Sequence, residues 1–430
     1  MRSIIHSSWR RSLLVFASIA IIIGCSLLMR TSGLAQDSSP SNQSSPNHSA
    51  AQAMSRSPQT ALTQLFTSSQ AQSDWFTPEF LRQVPLAQLQ QLVTGIERDL
   101  GAYQDVQMAG DRFLVRFERG QIEAHISLNR EGQIAGLLLQ PVPNAITLDQ
   151  AIEQLKTFPG QVNFLVLEES SERAALNADQ PLAVGSTFKL AVLSALRQQI
   201  ESEQRHWNDV VELQSAWKSL PSGILQDWPS DSWVTLQTLA TLMISISDNT
   251  ATDALIHVLG RDAIEAFTER NRPLLTTREF FTLKAPQYQD VLQRYRAANT
   301  AERRRILDQL AEYPLPNLTS SSGEGLFADG PTALDIEYFF TPHELCRLMS
   351  NVKDLSLMHV NPGTGLLNPS DWAQVAYKGG SEPGVLNLTH WLESPTGKTY
   401  CVVTTWNNVA APLDETRLYN LHRAVIQGLQ

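Results

Sequence analysis

The chain shows two patterns of apolar and polar positions in its first third. Apolar positions first recur every three to four residues, which predicts helices over 59–70, 77–84 and 86–100. From residue 113 to 139 they alternate with polar positions, which predicts three strands of a small antiparallel sheet. Together these elements predict a small α+β domain over residues 59–145.

A second domain is predicted from residue 146 to 430. It opens with a helix capped by Thr147, with Gln150 three residues later, and its middle, about 186–357, has mostly helical periodicity. Strands are predicted before and after this block, and a helix closes the chain: the segments are 162–167, 374–378, 385–393, 399–406 and 413–428. Strands at both ends of a helical block predict a sheet built from distant segments, with a helical subdomain inserted.

The first 58 residues have the composition of an export signal and a tether. Residues 1–35 combine a basic head, an apolar run and small residues before a cleavage point after Ala35, which predicts a signal peptide. A lipoprotein signal ending at Cys25 and an uncleaved membrane anchor are alternatives. Residues 36–58 are rich in Ser, Gln, Pro and Asn and predict a disordered linker. The signal peptide, the lipoprotein signal and the membrane anchor all predict that most of the chain lies outside the cytoplasm, in the periplasm or on the outer side of a membrane.

The charge distribution argues against nucleic acid as a partner. The chain carries a net charge of −10, and its first 35 residues hold four Arg and no acid, so the remainder carries −14. A phosphate backbone requires clustered Lys and Arg. The one basic run, Arg294–Arg305, is interpreted as a solvated helix face. A small-molecule substrate and a monomeric protein are expected.

No metal ion or cofactor is expected from the sequence. The His residues lack ligand spacing, and the loop Gly323–Ala328 lacks the preceding strand of a dinucleotide site. The three cysteines are Cys25, Cys346 and Cys401. Because Cys25 lies in the export segment, one bridge at most is open to the mature chain, although nothing in the spacing of Cys346 and Cys401 requires it.

The first chemical motif is Ser186 with Lys189 before an apolar helical run. Three residues apart on a helix, the two side chains share a face. The free N–H groups at a helix start favour negative charge on an attacked carbonyl. A hydroxyl is a weak nucleophile until a base takes its proton, and Lys189 can serve if burial and nearby cations lower its pKa.

The second motif, Ser247-Asp248-Asn249, forms a polar corner between two apolar helical stretches. Ser247 is suited to relay a proton to a leaving nitrogen, and Asn249 to bind a substrate amide. The plainer interpretation is N-capping by Ser or Asn.

The third motif, Lys378-Gly379-Gly380-Ser381, is predicted at the end of a strand. A cation there would hold a substrate carboxylate and lower the pKa of Lys189. The glycines let a substrate approach the strand edge. The N–H of Ser381 can join that of Ser186 as an oxyanion hole.

The three motifs follow one another in the order Ser-x-x-Lys, Ser-Asp-Asn and Lys-x-Gly. This pattern resembles that of the serine β-lactamases and penicillin-binding proteins, and that of the class A β-lactamases most closely. The resemblance covers residues 146–430 and implies a helical subdomain beside an antiparallel sheet flanked by helices. It also implies roles for site residues, namely Ser186 as the acylated nucleophile, Lys189 as a base, Ser247 as the proton relay, Asn249 as a substrate contact, Lys378 as the carboxylate anchor, and Gly380 and Ser381 as substrate-binding positions. The preceding domain is compared with the cystatin and NTF2-like folds and is interpreted as a spacer or docking module.

Two departures from the family pattern matter. Gly379 stands where the family usually has Thr or Ser, which removes a hydroxyl from the substrate edge. The segment Glu-x-x-Leu-Asn, which carries the class A deacylating glutamate, is missing from the sequence. Glu324 and Glu337 are the candidates for that base.

The sequence therefore predicts an exported serine hydrolase that opens β-lactam amides through a Ser186 acyl-enzyme. An esterase or a D,D-peptidase would use the same nucleophile. A lactam- or peptidoglycan-binding module that deacylates slowly is the alternative outside the enzymes.

Overall fold

The computed structural model describes residues 56–109, 112–142, 145–220, 222–316, 330–363 and 365–430. They form two compact units, which divide between residues 144 and 145. The predicted export segment, most of the linker and Glu324 lie outside the described residues. No described helix has the length and apolarity needed to cross a bilayer.

The N-terminal unit consists of helices followed by an antiparallel sheet. Its helices are α1 (Pro58–Thr67), α2 (Pro78–Gln83) and α3 (Leu86–Leu100). Its strands, paired in chain order, are β1 (Tyr103–Ala109), β2 (Arg112–Phe117), β3 (Gly120–Leu128) and β4 (Ile134–Val142). A core of apolar side chains from α1, α2, α3 and the sheet joins the two layers.

Two details of this unit differ from the sequence prediction. Strand β1 was not predicted, because only Val106 among its seven residues is buried and the alternation is therefore weak. Leu92, one of the apolar residues behind the helical periodicity predicted over 86–100, is 40% exposed, whereas Leu89 and Val93 are buried. The comparison with cystatin and NTF2-like folds stays a prediction.

The C-terminal unit is built on a five-stranded antiparallel sheet in the order β11-β12-β13-β5-β6. Its strands are β5 (Gln161–Glu168), β6 (Ser171–Leu176), β11 (Gln374–Glu382), β12 (Val385–Glu393) and β13 (Thr399–Asn407). Four short strands form two small pairs, β7 (Leu182–Ala183) with β10 (Phe339–Phe340), and β8 (Val210–Glu212) with β9 (Trp233–Thr235). Central strands β13 and β5 are about 230 residues apart in sequence, as expected for a sheet assembled from both ends of the domain.

Helices lie on both faces of this sheet. They are α4 (Leu148–Leu155), α5 (Lys189–Glu201), α6 (Leu236–Ser245), α7 (Asn249–Leu259), α8 (Arg261–Glu265), α9 (Thr277–Lys284), α10 (Gln289–Ala297), α11 (Thr300–Leu310), α12 (Pro342–Val352) and α13 (Glu415–Gln427). The capping box predicted at Thr147 and Gln150 is present, and Thr341 and Glu344 form another at the start of α12.

Two apolar cores hold the layers together. One core packs α5, α6, α7 and α12 against one face of the sheet, and the other packs α4 and α13 against the opposite face. The α+β architecture predicted from the sequence is confirmed. Helix α5 lies so deep that its first eight residues, starting with Lys189, are all buried.

Strand β11 is longer than predicted. It continues through Lys378 to Glu382, so the third motif lies within the strand and not after its end. The two glycines had suggested a turn, but their backbone stays paired with β12. Strand β6 was also missed, because its residues Ser171–Arg173 are exposed and polar.

Cys346 of α12 and Cys401 of β13 form a disulfide with a Cα–Cα distance of 5.9 Å. The spacing of the two cysteines did not predict the bridge, because their contact depends on how α12 packs against the sheet. The bridge closes a loop of 55 residues, which restricts the unfolded chain.

Reduction of this disulfide should destabilise the C-terminal unit by up to ~4 kcal/mol, the loop-closure value for this length. Urea unfolding of the full chain with and without reductant measures the effect. The Cys346→Ser/Cys401→Ser double variant is the control, because reductant should leave its unfolding midpoint unchanged. Equal midpoints for the oxidised and reduced wild-type protein would show that the bridge adds nothing.

Candidate active site

Ser186 lies at the entrance to the buried helix α5. A 3-10 turn, Gly185–Phe188, runs directly into α5, so Ser186 and Lys189 follow each other around one turn as predicted. Ser186 is half-buried, whereas Thr187 and Phe188, the next two residues of the turn, are fully buried. The packed neighbours hold the turn in place and leave the Ser186 hydroxyl facing a cleft.

Ser247 lies at the corner between α6 and α7. Its φ of +57° is in the left-handed region, which a residue with a side chain adopts only at a cost. Asp248 is the residue that caps α7, and it also accepts hydrogen bonds from the backbone N–H groups of Ile224 and Leu225. The plainer interpretation, N-capping by Ser or Asn, is wrong about the residue, because Asp248 is the cap, and Ser247 lines the cleft.

Lys189 is completely buried and reaches the second motif. Its Nζ lies 2.6 Å from the carbonyl oxygen of Ser247, 2.7 Å from Asn249 Oδ1 and 3.0 Å from Ser247 Oγ. None of the hydrogen bonds among the described residues joins Lys189 Nζ to Ser186 Oγ. Catalytic hydrogen bonds often tighten only when substrate binds.

Lys378 contacts the same serine hydroxyl. Its Nζ donates to Ser247 Oγ at 3.2 Å and to the carbonyl oxygen of Gly379 at 2.6 Å, and the residue is 3% exposed. Within the described residues no carboxylate forms an ion pair with it. One serine hydroxyl therefore lies between two buried amines.

Burial changes the proton affinity of both amines. Burial lowers the pKa of Lys378 to about 7. Burial and the positive charge of Lys378 lower the pKa of Lys189 well below its ordinary value, although Asp253 and Asp248 oppose the shift. A lysine with a lowered pKa is an effective proton acceptor near neutral pH.

The third motif meets the first through backbone contact. A Cβ atom on Gly380 would lie 2.1 Å from the carbonyl oxygen of Val184 and 2.5 Å from the backbone nitrogen of Ser186, so only glycine fits. A Cβ atom on Gly185 would lie 3.1 Å from the backbone nitrogen of Ser381. The N–H groups of Ser186 and Ser381 thus come close together at the edge of β11.

All seven residues predicted for the site belong to this region. Six of them line one cleft of about 580 Å³, namely Ser186, Ser247, Asn249, Lys378, Gly380 and Ser381, and Lys189 lies directly behind Ser247. The sequence did not single out several other lining residues, among them Ser222, Thr277, Phe280, Tyr377, Glu382 and Tyr419. In the described ranges no group of three or more His, Cys, Asp or Glu side chains is placed to hold a metal ion.

Asp253 joins the wall of the cleft to α9. It lies one helical turn after Asn249, and its carboxylate accepts hydrogen bonds from the backbone N–H groups of Thr277 and Arg278 and from the Thr277 hydroxyl. Burial raises the pKa of Asp253 to about 7 despite these bonds. Asp253 follows Asn249 by four residues, and this spacing was the sequence feature that could have placed the two side chains on the same face of one helix.

Of the two predicted candidates for a deacylating base, Glu324 lies outside the described residues and only Glu337 can be placed. Glu337 has a fully buried side chain that forms an ion pair with Lys284 at 2.5 Å, and it does not line the cleft. Glu382 does line the cleft, but it is bound to the same Lys284 at 2.5 Å. Burial and the neighbouring Glu337 raise the pKa of Glu382 well above its ordinary value.

The fold and the cleft together define an α+β protein with a serine at the entrance to a buried helix and two buried lysines beside it. Residues 147–322 match the model of the Beta-lactamase enzyme family. This range contains the first and second motifs and ends before the third. The predicted resemblance to the serine β-lactamases and penicillin-binding proteins is confirmed. No curated protein sequence matches the chain.

Solved structures of similar proteins cover about two thirds of the chain. A β-lactamase from Sphaerobacter thermophilus is 22% identical over 65% of this chain and 95% of its own, with a TM-score of 0.45. The structure named PBP-A is 18% identical over 67% and 98%, with a TM-score of 0.42. An ancestral class A β-lactamase is 17% identical over 65% and 99%, with a TM-score of 0.45.

The lowered pKa of Lys378 predicts a specific dependence of stability on pH. The unfolded chain holds this proton up to the ordinary lysine pKa of 10.5, whereas the folded chain releases it at about 7. Stability should therefore rise as pH increases from about 7 towards 10, by up to about 1.4 kcal/mol per pH unit. The Lys378→Met variant should lose this contribution to the rise.

Urea unfolding at pH 7 and at pH 9 measures how the free energy of unfolding depends on pH in the wild-type protein and in Lys378→Met. Lys156→Met is the matched control, because Lys156 is half-exposed and should retain the wild-type slope. If Lys378→Met and Lys156→Met depend on pH equally, the charge of Lys378 is not destabilised by burial.

Proposed function

We propose that the C-terminal unit is a serine hydrolase of the β-lactamase type that is acylated on Ser186 by β-lactam amides. One observation carries the proposal: Lys189 and Lys378 both bind the hydroxyl of Ser247 at the cleft that Ser186 faces. This arrangement provides a nucleophile, a base, a proton carrier and a cation for an anionic substrate group.

The hydrogen bonds around Lys189 define a proton path when its amine is neutral. A neutral amine donates two hydrogens and accepts one. The carbonyl oxygen of Ser247 and Asn249 Oδ1 can only accept, so they take the two N–H groups. The lone pair is then left for a hydroxyl, which Ser247 presents at 3.0 Å.

Acylation follows from this path. Ser186 Oγ attacks the lactam carbonyl carbon, and its proton passes by way of the Ser247 hydroxyl to the lone pair of Lys189. The tetrahedral oxyanion accepts hydrogen bonds from the N–H groups of Ser186 and Ser381. The C–N bond then breaks, the leaving nitrogen takes the proton of Ser247 Oγ, Lys189 returns its proton to Ser247, and the acyl group stays on Ser186 as an ester.

Slow hydrolysis of the acyl-enzyme is the expectation from the way the carboxylates around the cleft are paired. Among the described lining residues Glu382 is the only carboxylate, and Lys284 holds it in an ion pair beside Glu337. A carboxylate so bound is a poor general base for water. A lactam-binding protein with a long-lived acyl-enzyme is therefore the second candidate, and a D,D-peptidase or an esterase would share the acylation step.

The proposed place of action is outside the cytoplasm. The basic and apolar segment 1–35 supports export, with the periplasm or the outer side of a membrane as the location. The Cys346–Cys401 bridge supports the same proposal, because disulfides persist in oxidising compartments.

The full-length mature protein should form a covalent adduct with nitrocefin at a ratio of one to one. Intact mass follows the adduct, and absorbance follows the opening of the lactam in the same sample. Sustained colour change is expected from a β-lactamase, and one burst with a persistent adduct from a slowly deacylating protein. The Ser186→Ala variant should show neither signal.

Ser370→Ala is a suitable control, because Ser370 lies outside the cleft in a short turn at Pro369–Asp371. It should keep the wild-type adduct. A wild-type protein that gives neither adduct nor colour would contradict the proposed function, and so would an adduct that survives in Ser186→Ala.

A further inference from the structure

A buried cluster of three charged side chains lies at the end of β11, and the proposed acylation step does not use it. Lys284, the last residue of α9, contacts Glu337 and Glu382, and its Nζ lies 2.5 Å from one oxygen of each carboxylate. The side chains of Lys284 and Glu337 are fully buried, and that of Glu382 is 7% exposed. Two carboxylates and one ammonium leave one negative charge in excess, which burial makes unfavourable.

Strand β11 places Glu382 beside the nucleophile. Side chains two residues apart in a strand lie on one face, so Lys378, Gly380 and Glu382 share a face of β11. Gly380 lies directly against the backbone nitrogen of Ser186, and two residues of a strand span about 7 Å. Along the strand, Ser186 is therefore flanked by Lys378 in one direction and by Glu382 in the other.

One oxygen of Glu382 lacks a donor. Its Oε1 accepts a hydrogen bond from Lys284, whereas its Oε2 is buried and accepts none from the residues that the structure describes. Glu382 lines the cleft together with Phe281 and Pro383, so the cleft extends beyond Ser381 to this carboxylate. A buried carboxylate oxygen without a donor is unfavourable, and a donor group of a ligand in the cleft would remove that cost.

A proton or a cationic donor can offset the excess charge of the cluster. Burial and the neighbouring Glu337 raise the pKa of Glu382 well above its ordinary value, so the carboxyl retains a proton more readily than an exposed one. An ammonium group at Oε2 would replace this proton, which leaves to solvent, because it supplies a positive charge and a hydrogen-bond donor together. The cluster would then hold two carboxylates and two cations.

We propose that Glu382 binds an ammonium group on the acyl side of the substrate and is a specificity residue of the cleft. This inference rests on the proposed function and deepens it. Lys378 provides the cation on the leaving-group side of Ser186, so the acyl side of the substrate faces Glu382. The substrate class is acyl amides that carry an amino group within about 7 Å of the scissile carbonyl, the span of two strand residues.

Ampicillin and benzylpenicillin test the proposal, because they differ by one amino group on the acyl side. Intact mass follows acylation of the full mature protein by each compound at pH 7, where an α-amino group is charged. The ratio of the two rate constants should favour ampicillin by about 10-fold, as expected for a hydrogen bond between charged groups. In Glu382→Gln the ratio should fall to about one, because the amide keeps the shape of the side chain without its negative charge.

Glu337→Gln tests the charge balance from outside the cleft, because Glu337 does not line it. This variant leaves one carboxylate for one ammonium, so attraction for a second cation weakens and the ratio should fall by about 3-fold or more. Glu153→Gln is the matched control, because Glu153 is exposed on α4 and lies outside the cleft, and it should keep the wild-type ratio. Thermal unfolding of each variant checks that the fold persists, and Glu337→Gln decides if Glu382→Gln does not fold.

The two possible failures are distinguishable. If the wild-type protein forms no adduct with either penicillin, the proposed function has failed. If both compounds acylate the wild-type protein at the same rate, Glu382 Oε2 binds a proton only and its role in specificity is overturned. A preference for ampicillin that stays at the wild-type value in the folded Gln variants of the cluster would also overturn it.

Discussion

Two buried lysine side chains, Lys189 and Lys378, both form hydrogen bonds with the Ser247 hydroxyl, and the surrounding elements of the C-terminal unit hold them there. Placing two amines in a site from which water is largely excluded is unfavourable when both are charged. The cost appears as lowered pKa values for both groups. Such a site needs a rigid surrounding structure, because relaxation or entry of water would return both lysines to their ordinary state.

The fold provides that rigidity from three directions. Helix α5 is buried along its first two turns, so Lys189 has no room to move towards solvent. The left-handed backbone of Ser247 is held by Asp248, which caps α7 and binds the adjacent loop. Strand β11 brings Lys378, and Gly380 allows its backbone to touch the start of the 3-10 turn.

The sequence predicted the chemistry of the site better than its surroundings. The three motifs were found because each depends on residues close together in the chain, such as Ser186 with Lys189. The cleft residues that were missed, including Thr277 and Tyr377, depend on contacts between distant segments. Tyr377 could not be singled out, because a tyrosine before a lysine in a strand has no distinctive pattern.

Fold prediction succeeded and failed for similar reasons. Long segments with strong periodicity, such as α3 and α13, were predicted closely because burial of one face imposes the pattern. Strands β1 and β6 were missed because only one side chain of each strand is buried and the alternation is weak. The glycines of the third motif suggested a turn, whereas pairing with β12 and contact with Val184 keep β11 extended.

The central claim is that burial and the charge of Lys378 make Lys189 the base that activates Ser186. The most direct test is the pH dependence of the reaction of Ser186 with a neutral fluorophosphonate, whose binding does not require a cation. The rate should rise through a pKa well below the ordinary lysine value of 10.5. In Lys378→Met the rise should move to higher pH, because a neighbouring positive charge has been removed. A rise that follows an ordinary lysine pKa, or one that is identical in both proteins, would contradict the account.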